Sequence, residues 1–140
     1  MFKREKMRII SANAILFLFC RVLDATKYNY ATTGHPRQAE ASIRRKVSEL
    51  AIKNKKIYIG KTSGYSGLRK RFSNQYKKLG FDGIVPIYTT SSEDYAYEVE
   101  AMAIEYAKKQ YGKKVKNVIG GGGGSIGAGT PKIVYVATKK

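Results

Sequence analysis

Cysteine and histidine are almost missing from this chain, which has one of each, Cys20 and His35. A single cysteine cannot form an internal disulfide bond, and a zinc cluster of cysteine and histidine ligands cannot be assembled. Both are therefore excluded as sources of stability or chemistry. A bound metal would need oxygen ligands, which favours Mg²⁺ or Mn²⁺.

Acidic residues are also scarce, because 10 aspartates and glutamates face 27 lysines and arginines, giving a formal net charge of +17. Such an excess repels itself in a folded domain. It attracts polyanions, since phosphates that are neutralised by lysine and arginine release their condensed counterions. A nucleic acid is therefore the expected partner, DNA first and RNA as the alternative. A solubility device or a basic scaffold protein is the other explanation.

The longest apolar run lies near the N-terminus, where MFKREKMR is followed by IISANAILFLF. This order resembles a secretory signal. However, Arg21 and Asp24 follow closely, no small-residue cleavage pattern is evident, and the run is short for a membrane span. We expect a buried element of an intracellular protein with no membrane partner. The alternative is a processed or membrane-directed segment, which would make a secreted form.

The composition is that of a folded domain, since 43% of the 140 residues are hydrophobic and 11% are aromatic. We divide the chain into an N-terminal apolar segment and loop, residues 1–36, and one domain, residues 37–140. The apolar periodicity and the turn residues predict helices over 37–54, 68–80 and 91–111, and strands over 56–59, 84–90 and 132–138. This mixture predicts the α+β class, with helices on a small sheet. Pro86 favours an edge strand or the beginning of a strand.

Two details of the predicted helices are specific enough to be checked. The apolar stripe of the second helix consists of Leu68, Phe72, Tyr76 and Leu79, and Gly80 ends it. Ser91, with Asp94 three residues later, resembles a capping box and predicts the start of the third helix.

Glu100 stands out among the glutamates of the third predicted helix. Helical spacing places it on the face that carries Ala96, Ala103 and Ile104, and neither four-residue neighbour is a cation. A carboxylate among alanines is costly to bury unless it is paired or binds a metal. Glu100 is therefore a candidate metal ligand. A salt bridge to a basic residue from elsewhere is the alternative.

A cluster of cations follows the glycine-containing turn 64–67. Arg69, Lys70 and Arg71 stand together in the second predicted helix. Guanidinium groups match phosphate oxygens bidentately, so these residues are candidate phosphate contacts. A solvated helix face explains any one of them alone.

The strand, the helical arginine and the helical glutamate occur in a recognisable order. Tyr58-Ile59-Gly60-Lys61 is followed by Leu68 with Arg71, by Glu100 with Ile104, and by Asn117. This order and spacing resembles the GIY-YIG nuclease family over residues 57–124, about half of the chain. The resemblance implies a small three-stranded antiparallel sheet flanked by helices, and metal-dependent hydrolysis of phosphodiesters.

The resemblance also implies a role for each matching residue. Glu100 would be the single carboxylate ligand of Mg²⁺ or Mn²⁺, and Arg71 would bind the scissile phosphate. Tyr58 would orient or activate water, because a tyrosine beside a metal and cations can have a lowered pKa. Lys61 would assist electrostatically, and Asn117 would order the site. The predicted nucleic-acid contacts are Lys61, Arg69, Lys70 and Arg71.

Two positions depart from the family's pattern. The family's first tyrosine would precede Tyr58 at the position where this chain has Ser48, inside a predicted helix. The last predicted strand offers Tyr135 as a substitute, and Tyr28 and Tyr30 are the alternatives.

The second departure follows Arg71. The position that often holds histidine or tyrosine in the family is Gln75 here, and Tyr76 is adjacent to it.

Five consecutive glycines, residues 120–124, precede the last predicted strand. They could let the backbone approach phosphate closely, with amide groups facing it. A flexible connection explains them equally well. A P-loop is excluded, because lysine and serine or threonine do not follow the last glycine in the required order.

The first functional hypothesis is a small endonuclease that cuts DNA with Mg²⁺ or Mn²⁺, as a monomer or a homodimer. The second is a nucleic-acid-binding module without catalytic activity, in which Ser48 marks a lost tyrosine. A basic RNA-associated scaffold is the third.

Overall fold

The computed structural model describes residues 30–117 and 126–140 of the chain. The helices are α1 (Pro36–Lys53), α2 (Tyr65–Arg71) and α3 (Glu93–Tyr111), and the strands are β1 (Lys56–Ser63), β2 (Gly83–Thr90) and β3 (Lys132–Lys139). A π-helical turn, Phe72–Tyr76, continues α2, and a 3₁₀ turn, Gly112–Lys114, follows α3. The predicted α+β class is confirmed. The N-terminal apolar segment, Tyr28 and the glycine run lie outside the described residues.

The first helix follows from its local sequence. His35 caps its N-terminus, because its Nδ1 accepts a hydrogen bond from the Arg37 amide at 3.1 Å, and Pro36 occupies the first turn. Ala39, Ile43 and Val47 are buried at the spacing expected of one helix face. The C-cap is Asn54, as predicted.

The three strands form one antiparallel sheet in the order β1-β3-β2. The last strand of the chain is therefore central, and it separates the two earlier strands. Its register with β1 sets Tyr135 opposite Gly60 and Val134 opposite Lys61. Residues that are far apart in the sequence thus meet in the middle of the sheet.

Each edge of the sheet forms hydrogen bonds with a flanking segment. Pro86 lies on the edge strand β2, as predicted, next to a bulge in the pairing with β3. Outside β2, the backbone of Thr32 bonds with Ile87 and Thr89 at 2.9 Å each. Outside β1, the Lys116 amide donates to the Ile57 carbonyl at 2.9 Å. These contacts satisfy backbone groups that would otherwise be open to another strand.

Each face of the sheet has its own core. On one face, α1 and α3 pack on Ile57, Ile59, Val134 and Val136. On the other face, α2 and the π turn pack on Ile133, Tyr135 and Ala137. Strand side chains alternate between the two faces, so neighbours in β1 enter different environments.

Two predicted details are wrong. The third helix is capped by Ser92 instead of Ser91, because the Ser92 hydroxyl accepts from the Tyr95 amide at 3.1 Å. Leu79 does not extend the buried stripe of the second helix and is 57% exposed. The regular α-helix ends at Arg71, and the wider π turn breaks the spacing that Leu79 would need.

Within the two described ranges, no helix combines the length and apolar character needed to cross a membrane.

Candidate nucleic-acid interface and active site

The alternation of β1 divides the predicted site residues between the two faces of the sheet. Tyr58 packs with the core under α2, whereas Ile59 belongs to the core under α1 and α3. Lys61 lies two residues beyond Ile59 and shares its face, where its ammonium group reaches α3. The strand β1, which carries the sequence Tyr58-Ile59-Gly60 and is called the YIG strand below, therefore presents Tyr58 and Lys61 to opposite faces of the sheet.

Three tyrosines meet on the α2 side. The hydroxyl groups of Tyr76 and Tyr135 form a hydrogen bond of 2.7 Å, and their ring centroids are 5.7 Å apart. The ring of Tyr58 lies 5.4 Å from that of Tyr76. This group of Tyr58, Tyr76 and Tyr135 is called the tyrosine cluster below.

Gly60 is what allows the tyrosine cluster to close over β1. The side chain of Tyr135 crosses directly over this residue, and a Cβ atom at Gly60 would lie 2.5 Å from the phenol oxygen and 2.7 Å from Cζ. Real Cβ atoms do not make such contacts, so any side chain there would displace the Tyr135 ring. The close packing of Tyr135 therefore explains why this position of the strand is occupied by glycine.

Arg71 lies beside the tyrosine cluster. Burial raises the pKa of Tyr135, and the hydrogen bonds of its phenol with Tyr76 and Arg71 offset part of that rise. Burial is also the main reason that the pKa of Tyr76 is raised, and the Arg71 charge opposes it. Both phenols therefore remain protonated at neutral pH.

The π turn explains how Tyr76 joins this group. Its defining hydrogen bond runs from the Lys77 amide to the Phe72 carbonyl, five residues back, at 2.9 Å. Residues five apart come onto one side of such a turn, so Tyr76 approaches the side of Arg71. Tyr76 thereby joins the tyrosine cluster, whereas its neighbour Gln75 lines a cavity.

An open cavity of about 360 Å³ adjoins Arg71. Its lining consists of Thr62, Gly67, Lys70, Arg71, Asn74 and Gln75. Lys70 and Arg69 are exposed, and Arg71 is half-buried. The cavity is thus a solvent-accessible depression with positive charge beside the tyrosine cluster.

Glu100 and Lys61 form an ion pair on the opposite face. Lys61 Nζ and Glu100 Oε1 are 2.8 Å apart, and the two side chains are 2% and 7% exposed. The ammonium group also lies 4.4 Å from the centroid of the Tyr97 ring. The salt bridge that was the alternative explanation for Glu100 is therefore present, with its cation supplied by the YIG strand.

Asn117 binds the outer edge of β1. Its Oδ1 accepts from the Ile59 amide at 2.9 Å, and its Nδ2 donates to the Ile59 carbonyl at 2.7 Å. The side chain thus imitates the backbone of a neighbouring strand. It holds the segment after α3 against the strand that carries Tyr58 and Lys61.

The structure also locates the candidates for the missing tyrosine. Ser48 lies on α1, where its hydroxyl forms a hydrogen bond of 2.8 Å with Tyr106 of α3. Tyr30 donates to Glu49 of α1 at 3.0 Å and is not in the sheet. Only Tyr135 among the described candidates stands on a strand paired with β1. Ser48 therefore serves helix packing and does not mark a vacated position in the sheet.

Comparison of the chain with protein-family models, with curated proteins and with solved structures finds no match.

The structure thus brings Tyr58, Arg71 and Tyr135 together and sets Glu100 with Lys61 apart from them. The sequence gives no indication of Asn74 as a cavity residue, and it singles out Gln75 and Tyr76 only through the departure that follows Arg71. No sequence signal marks this arrangement, because Leu68, Phe72, Tyr76 and Leu79 keep the regular apolar spacing of an α-helix although the chain forms a π turn there.

Proposed function

We propose that this protein is a small metal-dependent endonuclease that hydrolyses phosphodiester bonds in DNA through a GIY-YIG-like site. The observation that carries the proposal is the meeting of Tyr135 with Gly60 of the YIG strand and with Arg71. A strand from the far end of the chain thereby supplies a tyrosine to the YIG strand, which offers a reason why the family's first tyrosine is missing ahead of Tyr58.

The charges of the α2 side support a phosphate ligand. Lys70 and Arg71 line the open cavity, and neither forms a salt bridge with a carboxylate in the described parts of the chain. The net charge of +17 adds a long-range attraction for a polyanion. Arg71 is suited to contact the scissile phosphate, because its guanidinium group can donate two parallel hydrogen bonds to phosphate oxygens.

In this proposal a water molecule attacks the phosphorus atom and one ester P–O bond breaks, which leaves a phosphate monoester and a free hydroxyl group. Arg71 stabilises the charge that accumulates on the phosphoryl oxygens. Tyr58 orients the water. Tyr76 and Tyr135 donate or accept hydrogen bonds as neutral phenols and do not serve as bases at neutral pH, since burial raises the pKa of both.

Glu100 is the residue that would hold the Mg²⁺ or Mn²⁺ ion. No group of three or more metal-ligating side chains exists within residues 30–117 and 126–140. One carboxylate suffices for Mg²⁺, which commonly keeps several waters and takes further oxygens from substrate phosphates. The donor chemistry of Glu100 therefore fits. Bound there, the ion would supply Lewis acidity toward the phosphate.

Lys61 would compete with the metal for Glu100, since its ammonium group already lies 2.8 Å from Oε1. We therefore expect Lys61→Met to tighten Mn²⁺ binding. Thermal unfolding of this variant should show a rise in Tm on addition of Mn²⁺ that exceeds the rise for the natural chain. The double variant Lys61→Met/Glu100→Gln is the control. An equal rise in the control would remove Glu100 as the ligand.

A specific observation favours a second function, a nucleic-acid-binding module without hydrolysis. Glu100 is neutralised by Lys61 and lies on the face of the sheet opposite Arg71 and the tyrosine cluster. A protein that kept the cationic cavity but not a metal ion near it would bind nucleic acid without cutting it.

Plasmid cleavage with Mg²⁺ or Mn²⁺ separates the two functions. We expect the natural chain to nick or linearise supercoiled DNA, and Arg71→Ala to lower the rate about 100-fold, as loss of a charge-stabilising donor does elsewhere. Tyr58→Phe and Glu100→Gln should also lower the rate. Lys78→Ala, an exposed cation beyond the π turn, is the matched control and should retain it.

Retardation of DNA in a gel without cleavage would support the binding module instead. Cleavage by Glu100→Gln at the natural rate would exclude Glu100 as the metal ligand. Structured RNA of equal length, added as a competitor, tests whether DNA is the preferred partner.

A further inference from the structure

The open cavity beside β1 has two kinds of polar wall. Lys70 and Arg71 stand on one turn of α2, and Asn74 and Gln75 follow one turn later in the π turn. The helix therefore presents two cations and two carboxamides along a single rim. Asn74 and Gln75 are exposed, and neither has a role in the tyrosine cluster.

The floor of the cavity is kept narrow by a close approach of α2 to β1. A Cβ atom at Gly67 would lie 3.0 Å from the Thr62 hydroxyl oxygen, so a larger residue would push into the floor. Thr62 itself is buried, at 5% exposure, and still lines the cavity. Its hydroxyl and the glycine backbone form the floor beneath the exposed side chains of the rim.

This combination of groups selects a class of ligand. Cationic side chains bind phosphate oxygens, whereas a carboxamide offers a donor and an acceptor side by side, which matches the hydrogen-bonding edge of a nucleobase. The residues that line the cavity in the described structure include no carboxylate and no large apolar side chain. A cationic or a purely hydrophobic ligand therefore has no partner there.

The size of the cavity limits how much of a nucleic acid can enter. Its volume of about 360 Å³ is near the lower limit for ligand pockets, which is about 300 Å³. One nucleotide fills a volume of this size, and the rest of a bound strand would lie outside the depression. An enzyme that reads a base in such a pocket acts on a single strand or on a base turned out of the helix.

We infer that this cavity binds one nucleotide of the substrate, with its phosphate on Lys70 and Arg71 and its base edge on Asn74 and Gln75. The inference deepens the proposed nuclease function and rests on it for the choice of nucleic acid as ligand. It assigns base preference to the two carboxamides of the cavity and phosphate affinity to its two cations.

Binding of single nucleotides without metal tests the inference independently of cleavage. The probes are the four deoxynucleoside 5′-monophosphates and inorganic phosphate, titrated at constant ionic strength by calorimetry. We expect at least one nucleotide to bind about tenfold more tightly than phosphate and than the weakest nucleotide, a factor within the range for one carboxamide–base pair. Equal affinity for all five probes would overturn the inference.

Variants assign the preference to its side chains. Asn74→Ala/Gln75→Ala should lose the difference between the nucleotides and keep the phosphate affinity within a factor of about two. Lys70→Gln should weaken all five probes by a similar factor. Lys78→Ala is the control for general charge, and a Tm measurement checks that each variant folds. Retention of the base preference by the double alanine variant would also overturn the inference.

The outcome is distinguishable from that of the proposed function. Base-selective binding without plasmid cleavage would refute the nuclease and support the nucleotide cavity. Plasmid cleavage without base-selective binding would support the nuclease and refute the nucleotide cavity.

Discussion

On the side of the sheet that packs under α2, an open cavity is lined by the cations Lys70 and Arg71. On the side under α1 and α3, Lys61 and Glu100 form a buried ion pair. Both arrangements begin on β1, where Tyr58 and Lys61 point to opposite faces. The α2 side keeps Arg71 and Lys70 without carboxylate partners in the described structure. The other side neutralises Lys61 with Glu100 at 2.8 Å.

The difference separates the surface that can attract phosphate from the group that can hold a metal. An exposed cation without a carboxylate partner retains its attraction for polyanions, whereas a neutralised pair contributes almost no long-range field. The proposed function assigns recognition of the scissile phosphate to the α2 side, where Lys70 and Arg71 line the cavity. In the proposed nuclease, a metal ion on Glu100 would have to reach a phosphate bound on the other face of the edge strand β1. A nucleic-acid-binding module without hydrolysis has no such requirement.

Removal of one partner of the ion pair should give the largest effect on stability. Lys61→Met leaves the Glu100 carboxylate buried without its cation, which costs about 3–5 kcal/mol of unfolding free energy. Lys61→Met/Glu100→Met replaces both groups by apolar ones and should recover most of the loss. Urea unfolding measures both. A loss below about 1 kcal/mol in the single variant would indicate a solvated, surface-like pair and weaken the contrast between the faces.

Substitution of Gly60 tests the closed packing of the other face. Gly60→Ala places a methyl group within 2.7 Å of two Tyr135 atoms, so we expect a loss of about 1–3 kcal/mol from overpacking. Gly112→Ala is the matched control, because a Cβ atom there has no neighbour within 4 Å. Unfolding in urea compares the two. If Gly60→Ala were as stable as the control, Tyr135 would not lie across the YIG strand.

The parts of this fold that the sequence predicts are those set by local spacing. The stripe of Ala39, Ile43 and Val47 predicts α1 to within one residue, because a helix buries every third or fourth position regardless of its partner. The edge position of Pro86 is also local, since proline lacks the amide that a central strand needs.

The parts that the sequence does not predict depend on distant contacts. Three strands can pair in more than one order, and the local sequence does not decide that β3 lies between β1 and β2. The position of Tyr135 over Gly60 follows only from the register of β1 with β3. With 27 cations in the chain, the spacing around Glu100 cannot single out Lys61 as its partner. The π turn widens the helix by one residue, so the regular helical period gives no sign of where Tyr76 points.

The tyrosine cluster should make the protein sensitive to alkali. Burial holds the pKa of Tyr76 and Tyr135 above the ordinary value of 10.0 in the folded chain. Above pH 10 the unfolded chain ionises these phenols and the folded chain does not, so the unfolding free energy falls as pH rises. The expected slope is about 1.4 kcal/mol per pH unit for each tyrosine.

Urea unfolding between pH 9 and 11, a range chosen about the ordinary tyrosine pKa, measures that slope. Tyr76→Phe/Tyr135→Phe should make it shallower, although Tyr30 and Tyr88, whose pKa values burial also raises, preserve part of it. An unchanged slope in the double variant would mean that these phenols are already hydrated in the folded protein.

Ser48 provides the smallest and most selective test of the two faces. Its hydroxyl bonds with Tyr106 between α1 and α3, on the side that carries the ion pair, so Ser48→Ala should cost about 1 kcal/mol of unfolding free energy. Ser73→Ala, on the exposed side of the π turn, should cost less than about 0.5 kcal/mol. Neither change touches the cavity, and both variants should keep the natural affinity for DNA. A loss of DNA binding or cleavage in Ser48→Ala alone would place the functional surface at the α1–α3 layer, because the Ser48 hydroxyl bonds with Tyr106 between these two helices. The assignment of phosphate recognition to Arg71 and Lys70 would then be wrong, whatever the stability measurements gave.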